Sequence, residues 1–280
     1  MIRKLIKQGY QGLTVTIPIK WIRKYNLKGG EEINLEETEE GLLFSTNKRF
    51  SCKELVILID ETNKSRIRTV ISSAYRRGFN KITLKTKKQF SFLEINQIVD
   101  SLIGFVITEQ NEQKVVIENV MKDQFEGVDS IINKFFVTIK YLQSKVISKE
   151  KDNEEVMQLR RSILKLRDYA QRMINLNNYG GDRSYEYHAL ILLTEKLSGS
   201  FIDLYHFNQI KNSSNLRMVQ QHFSELILVL AKKDLVRAIE LNDIVSKFKQ
   251  KMIQDKDDKM VFNIVEYLFG ISSRIVGILI

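Results

Sequence analysis

The sequence predicts a multidomain α+β chain of 280 residues in three parts. These are a short-stranded amino-terminal segment, a small α/β middle domain and an all-α carboxyl-terminal bundle. Three observations carry that reading. Before Arg49, apolar and polar residues alternate with a period of two, interrupted by glycine turns. From Glu54 to Met121, strand-like runs alternate with two helical stripes. From Gly127 onward the apolar spacing is helical and proline is absent, the chain's one proline being Pro18. The expected boundaries are residues 1–49, 50–124 and 125–280.

In the first part, Leu13, Val15 and Ile17 alternate with Thr14 and Thr16, which predicts a strand with one buried face. Pro18 stops that strand and suits the first turn of a short helix, Ile19 to Asn26. Gly29 and Gly30 turn the chain into a second alternating run with Ile33 and Leu35 on its inner face. A last strand, Leu42 to Ser45, follows the turn at Gly41. Charge is segregated along this segment. Arg3, Lys4, Lys7, Lys20, Arg23, Lys24 and Lys28 all precede Glu31, and a block of glutamates follows. A solvated lysine-rich surface would account for a bare charge run. A dimer that doubled the basic set on one side would instead suit the phosphates of duplex DNA.

The order K-x-x-x-x-x-x-x-V-x-I-P, a short basic helix, L-K-G-G and E-x-I-x-L resembles the swapped-hairpin DNA-binding domain of the AbrB/SpoVT family. The resemblance implies that two copies interleave their hairpins into one dimeric β-barrel. A segment this short cannot close an adequate core alone, because domains of this size bury only roughly 60% of their surface. Arg3, Lys4, Lys7, Gln8, Lys20, Arg23 and Lys24 are then the candidate DNA-binding residues. The lysines suit phosphates, and the planar forks of Arg3 or Arg23 suit guanine edges. Gln11 and Thr14 are further polar candidates near the turn.

The net charge of +10 calls for an anionic partner without choosing its kind. Cys52 is the one cysteine, so no intramolecular disulfide forms. The opening MIRKLIKQGY lacks the apolar run of a signal peptide, and a cytoplasmic protein is expected. Met260 to Ile280 is apolar enough to invite a membrane reading. Glu266 and Arg274 in its middle favour a buried core helix and no membrane span.

In the middle part, Glu54 to Asp60 reads as a fully buried strand. Ser65 to Gly78 is a helix with Ile67, Val70, Ile71 and Ala74 on one stripe, ended by Gly78. Lys81 to Thr86 is a strand, and Ser91 caps a second helix from Phe92 to Leu102. Phe105 to Glu109 and Val115 to Asn119 complete a strand pair. No dinucleotide fingerprint, phosphate loop or histidine–carboxylate cluster occurs here. Arg76 and Arg77 before Gly78 read as favourable charge at a helix end. A spacer or dimerisation module is the expectation.

The last part predicts six helices: Val128 to Ser148, Asn153 to Asn175, Ser184 to Gln209, Asn215 to Lys232, Asp234 to Gln254 and Lys259 to Ile280. Short polar joints make them antiparallel neighbours. LRDYAQRMI from Leu166 matches VSKFKQKMI from Val245, and TEKLSGSF from Thr194 matches VEYLFGIS from Val265. Two three-helix repeats of this size resemble the PhoU phosphate-uptake regulators. That resemblance implies metal clusters held by a repeated E/D-x-x-x-D pattern, whose spacing stacks two carboxylates on one helix face. Here Glu195 and Glu266 are followed four residues later by Gly199 and Gly270. Asp168 and Asp203 fall off the pattern, and His188, His206 and His222 lack ligand spacing. No metal site or cofactor is therefore expected.

Joined, the two resemblances imply a dimeric DNA-binding transcriptional regulator of phosphate uptake or homeostasis. The helical bundle would serve as its regulatory or dimerisation module. The competing reading is a PhoU-type adaptor that regulates a transporter or sensor by protein contact alone. No catalytic residues are expected, since no nucleophile–base pair or paired-acid site is visible.

Overall fold

The computed structural model describes residues 3–9, 12–24, 26–38, 41–46, 53–59, 63–121, 127–149, 152–207, 213–254 and 259–280. It divides into two compact units, Met1–Lys53 and Glu54–Ile280. Among the described residues it is a mixed α+β chain with nine α-helices and three small sheets.

The first unit holds two hairpins and a short helix. Strands β1 (Ile6–Gln8) and β2 (Gly12–Thr14) pair antiparallel with Lys7 opposite Leu13. A Cβ on Gly12 would stand 2.8 Å from the Gln8 carbonyl oxygen, so this turn requires glycine there. Helix α1 (Ile19–Lys24) follows, then β3 (Ile33–Thr38) and β4 (Gly41–Thr46), which pair antiparallel from Ile33–Thr46 to Thr38–Gly41. The hairpins form separate two-stranded sheets, and no barrel closes within the single chain among the described residues. Leu35, expected on an inner face, is 58% exposed, and Leu13 is 63% exposed. Two-stranded hairpins are marginal on their own because one pairing edge and one face cannot enclose a core.

The second unit opens with a four-stranded sheet in the order β5-β6-β8-β7. Strand β5 (Glu54–Leu58) runs parallel to β6 (Lys81–Lys85), while β7 (Phe105–Gln110) and β8 (Lys114–Asn119) complete an antiparallel hairpin. Helices α2 (Lys64–Arg76) and α3 (Phe92–Val99) supply the apolar layer. Ile67, Ile71, Tyr75, Ile95 and Ile98 are buried together with Ile82, Leu84, Val115 and Ile117. The Asn63 side chain accepts from the Ser65 N–H at the start of α2, and Ser91 accepts from Glu94 N–H at the start of α3. The expectation of a fully buried β5 is corrected. Leu55 and Ile57 pack on the core, but Val56 and Leu58 are each 60% exposed. β5 is an edge strand, and a continuous apolar run does not reveal which face is covered.

Six helices follow: α4 (Val128–Ile147), α5 (Asn153–Asn177), α6 (Ser184–His206), α7 (Ser213–Lys232), α8 (Leu235–Gln254) and α9 (Lys259–Leu279). Helices α4, α5 and α6 pack on one another, as do α7, α8 and α9. The two sets meet through corresponding members, α6 against α9 and α4 against α7. Helix α9 is long and apolar enough by composition to cross a bilayer. Here Ile264, Val265, Leu268, Ile271 and Ile275 are buried in the shared core, and Arg274 pairs with Glu186 at 3.0 Å.

The α/β layer docks on α5 through α2. Arg172, 3% exposed, donates to the carbonyls of Tyr75 (2.8 Å) and Phe79 (2.9 Å) and to the Asn80 side chain. Arg76 pairs with Asp168 at 3.1 Å, and Asn175 donates to the Arg76 carbonyl at 2.8 Å. Arg76 is thus more than a charge at a helix end: it reaches across to the neighbouring helix.

Candidate nucleic-acid interface

Helix α1 is built at both ends by backbone logic. The Pro18 carbonyl accepts from the Trp21 and Ile22 N–H groups, and the proline ring, with φ fixed and no N–H to satisfy, suits the start of a helix. At the far end Asn26 adopts φ 49°. Its N–H donates to Arg23 O at 3.2 Å, and Leu27 N–H donates to Ile22 O at 3.0 Å. This pair of bonds is a Schellman termination, so the helix ends at Lys24 rather than at Asn26.

Lys20, Arg23 and Lys24 stand three and four positions apart and share one helix face. Trp21 and Ile22 are half-buried on another, while Lys20 and Arg23 are exposed. The side chain of Lys24 lies outside the described residues. In the first hairpin, Lys7 shares a face with Leu13. Gln8 lies on the opposite face with Ile6 and Thr14, whose hydroxyl donates to Ile6 O at 3.3 Å. The hairpin therefore separates Lys7 from Gln8. Arg3 and Lys4 are exposed in the extended lead into β1, and Gln11 lies outside the described residues. Among the described residues, Arg3, Lys4, Lys7, Lys20 and Arg23 form no ion pair, so each charge stands open to solvent.

The acidic positions of the bundle are engaged by cations. Glu195, 5% exposed, pairs with Arg160 and lies 3.8 Å from Arg167. Arg160 also donates to Ser198 Oγ at 2.9 Å. Its guanidinium lies 3.5 Å from where a Cβ on Gly199 would stand. In the second repeat Lys249 pairs with Glu266 at 2.8 Å, and a Cβ on Gly270 would stand 3.1 Å from Leu193. The space beside Gly199 is thus bordered by a guanidinium, and that beside Gly270 by close helix packing. Among the described residues no three His, Cys, Asp or Glu side chains gather. These residues do not fit a metal cluster, since each surviving carboxylate is already neutralised by a neighbouring cation.

Sequence reasoning missed Arg160, Arg167 and Arg172 as structural cations. Helical periodicity was the available signal, because each sits on α5 facing an element distant in sequence. A scan against family models, a search of curated proteins and a search of solved structures each find no match for this chain.

Proposed function

We propose that the chain is a DNA-binding transcriptional regulator acting as a homodimer on double-stranded DNA. The observation that carries this reading is the make-up of the first unit. Lys20 and Arg23 on α1 are exposed and form no ion pair among the described residues, and Ile6, Leu13, Leu35 and Leu42 of the strands, with Leu5 just before β1, are bare. Bare strand faces of this kind call for a second copy, and the AbrB/SpoVT resemblance supplies the form: an interleaved hairpin barrel. Such a dimer doubles the basic set. Lys4, Lys7, Lys20 and Lys24 then position the protein on phosphates, while Arg3 or Arg23 read base edges. The PhoU resemblance of the two three-helix sets assigns the bundle to regulation, within phosphate homeostasis. The proposed protein is cytoplasmic and not an enzyme.

The test is fluorescence anisotropy of the full chain with duplex DNA across a salt series, beside Lys20→Ala/Arg23→Ala/Lys24→Ala. Tight binding with a steep salt dependence is expected, since each phosphate contact contributes about −0.9 to the log–log slope. The variant should flatten that slope. A folded dimer that fails to bind at low salt would sink the reading. The bundle's own surface favours the second reading, a protein adaptor for a transporter or sensor. Val236 is 70% exposed and Ile239 is 47% exposed on α8, an apolar pair one helical turn apart.

A further inference from the structure

Between α2, α3 and α5 lies a cleft of about 510 Å³. Its volume falls within the roughly 300–1,000 Å³ range of small-molecule sites. Five cations line it: Arg68, Arg76, Arg161, Lys165 and Arg167. Two carboxylates, Asp100 and Asp168, oppose them, leaving three positive charges in excess.

The cations fall into two groups. Arg76 and Arg167 both reach Asp168, at 3.1 and 2.9 Å, and that carboxylate is buried to 6% exposure. This anchored pair fixes two guanidinium planes at the floor, because each arginine has donors left over after one carboxylate is shared. Arg68, Arg161 and Lys165 form no ion pair among the described residues. The geometry brings them together by helical spacing. Arg68, Ser72 and Arg76 recur every four residues along α2, and Arg161, Lys165 and Asp168 recur at four and three along α5. Two basic helix faces are thus held opposite each other; Asp168 neutralises part of their charge at Arg76 and Arg167, and Arg68, Arg161 and Lys165 remain to attract a further anion.

We propose that this cleft binds a small molecule carrying phosphoryl groups, of the size of a nucleotide. Guanidinium forks match phosphate oxygens bidentately, and three excess charges match the charge of a di- or triphosphate. Hydroxyls from Thr69, Ser72 and Ser101 add neutral polar contacts, and Leu164 offers an apolar wall. Duplex DNA is a poorer occupant, since a convex rod meets the rim of a cleft and not the half-buried guanidinium groups at its floor. The site lies wholly within the second unit, so its occupancy would tie α2 and α3 to α5.

The experiment is isothermal titration calorimetry of the full chain with ATP and with pyrophosphate, at fixed ionic strength. Comparison is made with Arg68→Ala/Arg161→Ala/Lys165→Ala, whose exposed or half-exposed side chains can be removed without breaking an ion pair. Saturable binding of either probe, one site per chain, weakened by roughly tenfold to hundredfold in a variant of unchanged thermal midpoint, is the expected result. Nucleotide affinity should be unaffected by Lys20→Ala/Arg23→Ala/Lys24→Ala, which separates this site from the DNA reading. Two results overturn the proposal: no saturable binding of either probe to the folded chain, or undiminished affinity in the cleft variant. A third also does so: displacement of bound ATP by duplex DNA, with the cleft variant losing DNA affinity in the same proportion. That outcome would assign the surface to nucleic acid.

Discussion

Arg172 lies over the ring of Tyr75, 5.0 Å from its centroid, and donates to the backbone carbonyl of that same residue at 2.8 Å. Its guanidinium also lies 4.9 Å from the Phe105 ring centroid. One side chain of the bundle thus clamps a helix, the turn after it and a strand of the α/β layer. The two layers should accordingly unfold together.

Arg172→Ala should destabilise the second unit by about 3 kcal/mol, because it removes the donor to the Phe79 carbonyl and the Asn80 side chain and leaves the Tyr75 carbonyl with the Gly78 N–H alone. Arg172→Lys should recover little of this, since an ammonium cannot fork toward three acceptors. Urea unfolding followed by circular dichroism reads both. A single cooperative transition at lowered midpoint is expected. A second transition in the wild type would show that the layers are independent.

The two glycines in the bundle should respond differently to an aspartate. At Gly199 the new side chain meets the Arg160 guanidinium at ordinary contact distance, so Gly199→Asp should change stability by less than about 1 kcal/mol. At Gly270 the Cβ would crowd Leu193 at 3.1 Å, and Gly270→Asp should cost about 1–3 kcal/mol by overpacking. Thermal midpoints that fall equally would refute the distinction.

Acid should weaken the bundle through His222. Burial pushes its imidazole below the ordinary histidine value of 6.5, opposed by Glu225 and reinforced by Arg237. Its Nδ1 is buried without a hydrogen-bond partner among the described residues. The folded chain keeps this ring neutral where the unfolded chain protonates it. Its contribution is therefore full above pH 6.5 and is lost as pH falls toward the folded-state value. His222→Phe, whose ring suits a neighbour such as Phe248, should shrink the fall in urea midpoint across that window. An unchanged pH profile in the variant would remove His222 from the account.

Lys149 holds φ 56° just beyond α4, where a Cβ is unfavourable. Lys149→Gly should raise stability by about 0.5–1 kcal/mol, seen as a higher urea midpoint at unchanged slope.

The helices of the bundle were legible because their apolar spacing runs uninterrupted between polar joints, and the repeat motifs fall near the ends of α5 and α8 as expected. The second hairpin was legible from alternation and glycine turns, whereas the alternating run from Leu13 to Ile17 stays a strand only to Thr14, with Leu13 and Val15 exposed. What lay hidden is long-range pairing. Arg76, which reads in sequence as favourable charge at a helix end, meets Asp168 across 92 positions. The exposed face of β5 was hidden for a related reason, since an apolar run does not say what lies opposite it. Leu35 illustrates the remaining limit: alternation marks a face to be covered without naming the cover.

The like-to-like contact of the two three-helix sets, α6 on α9 and α4 on α7, has a bearing on ancestry and dosage. A lone three-helix segment could cover the same faces only by meeting a twin. Duplication within one polypeptide turns that encounter between molecules into one within a molecule, at the high effective concentration of a short tether. The integrity of this half of the protein is thereby released from its abundance in the cell.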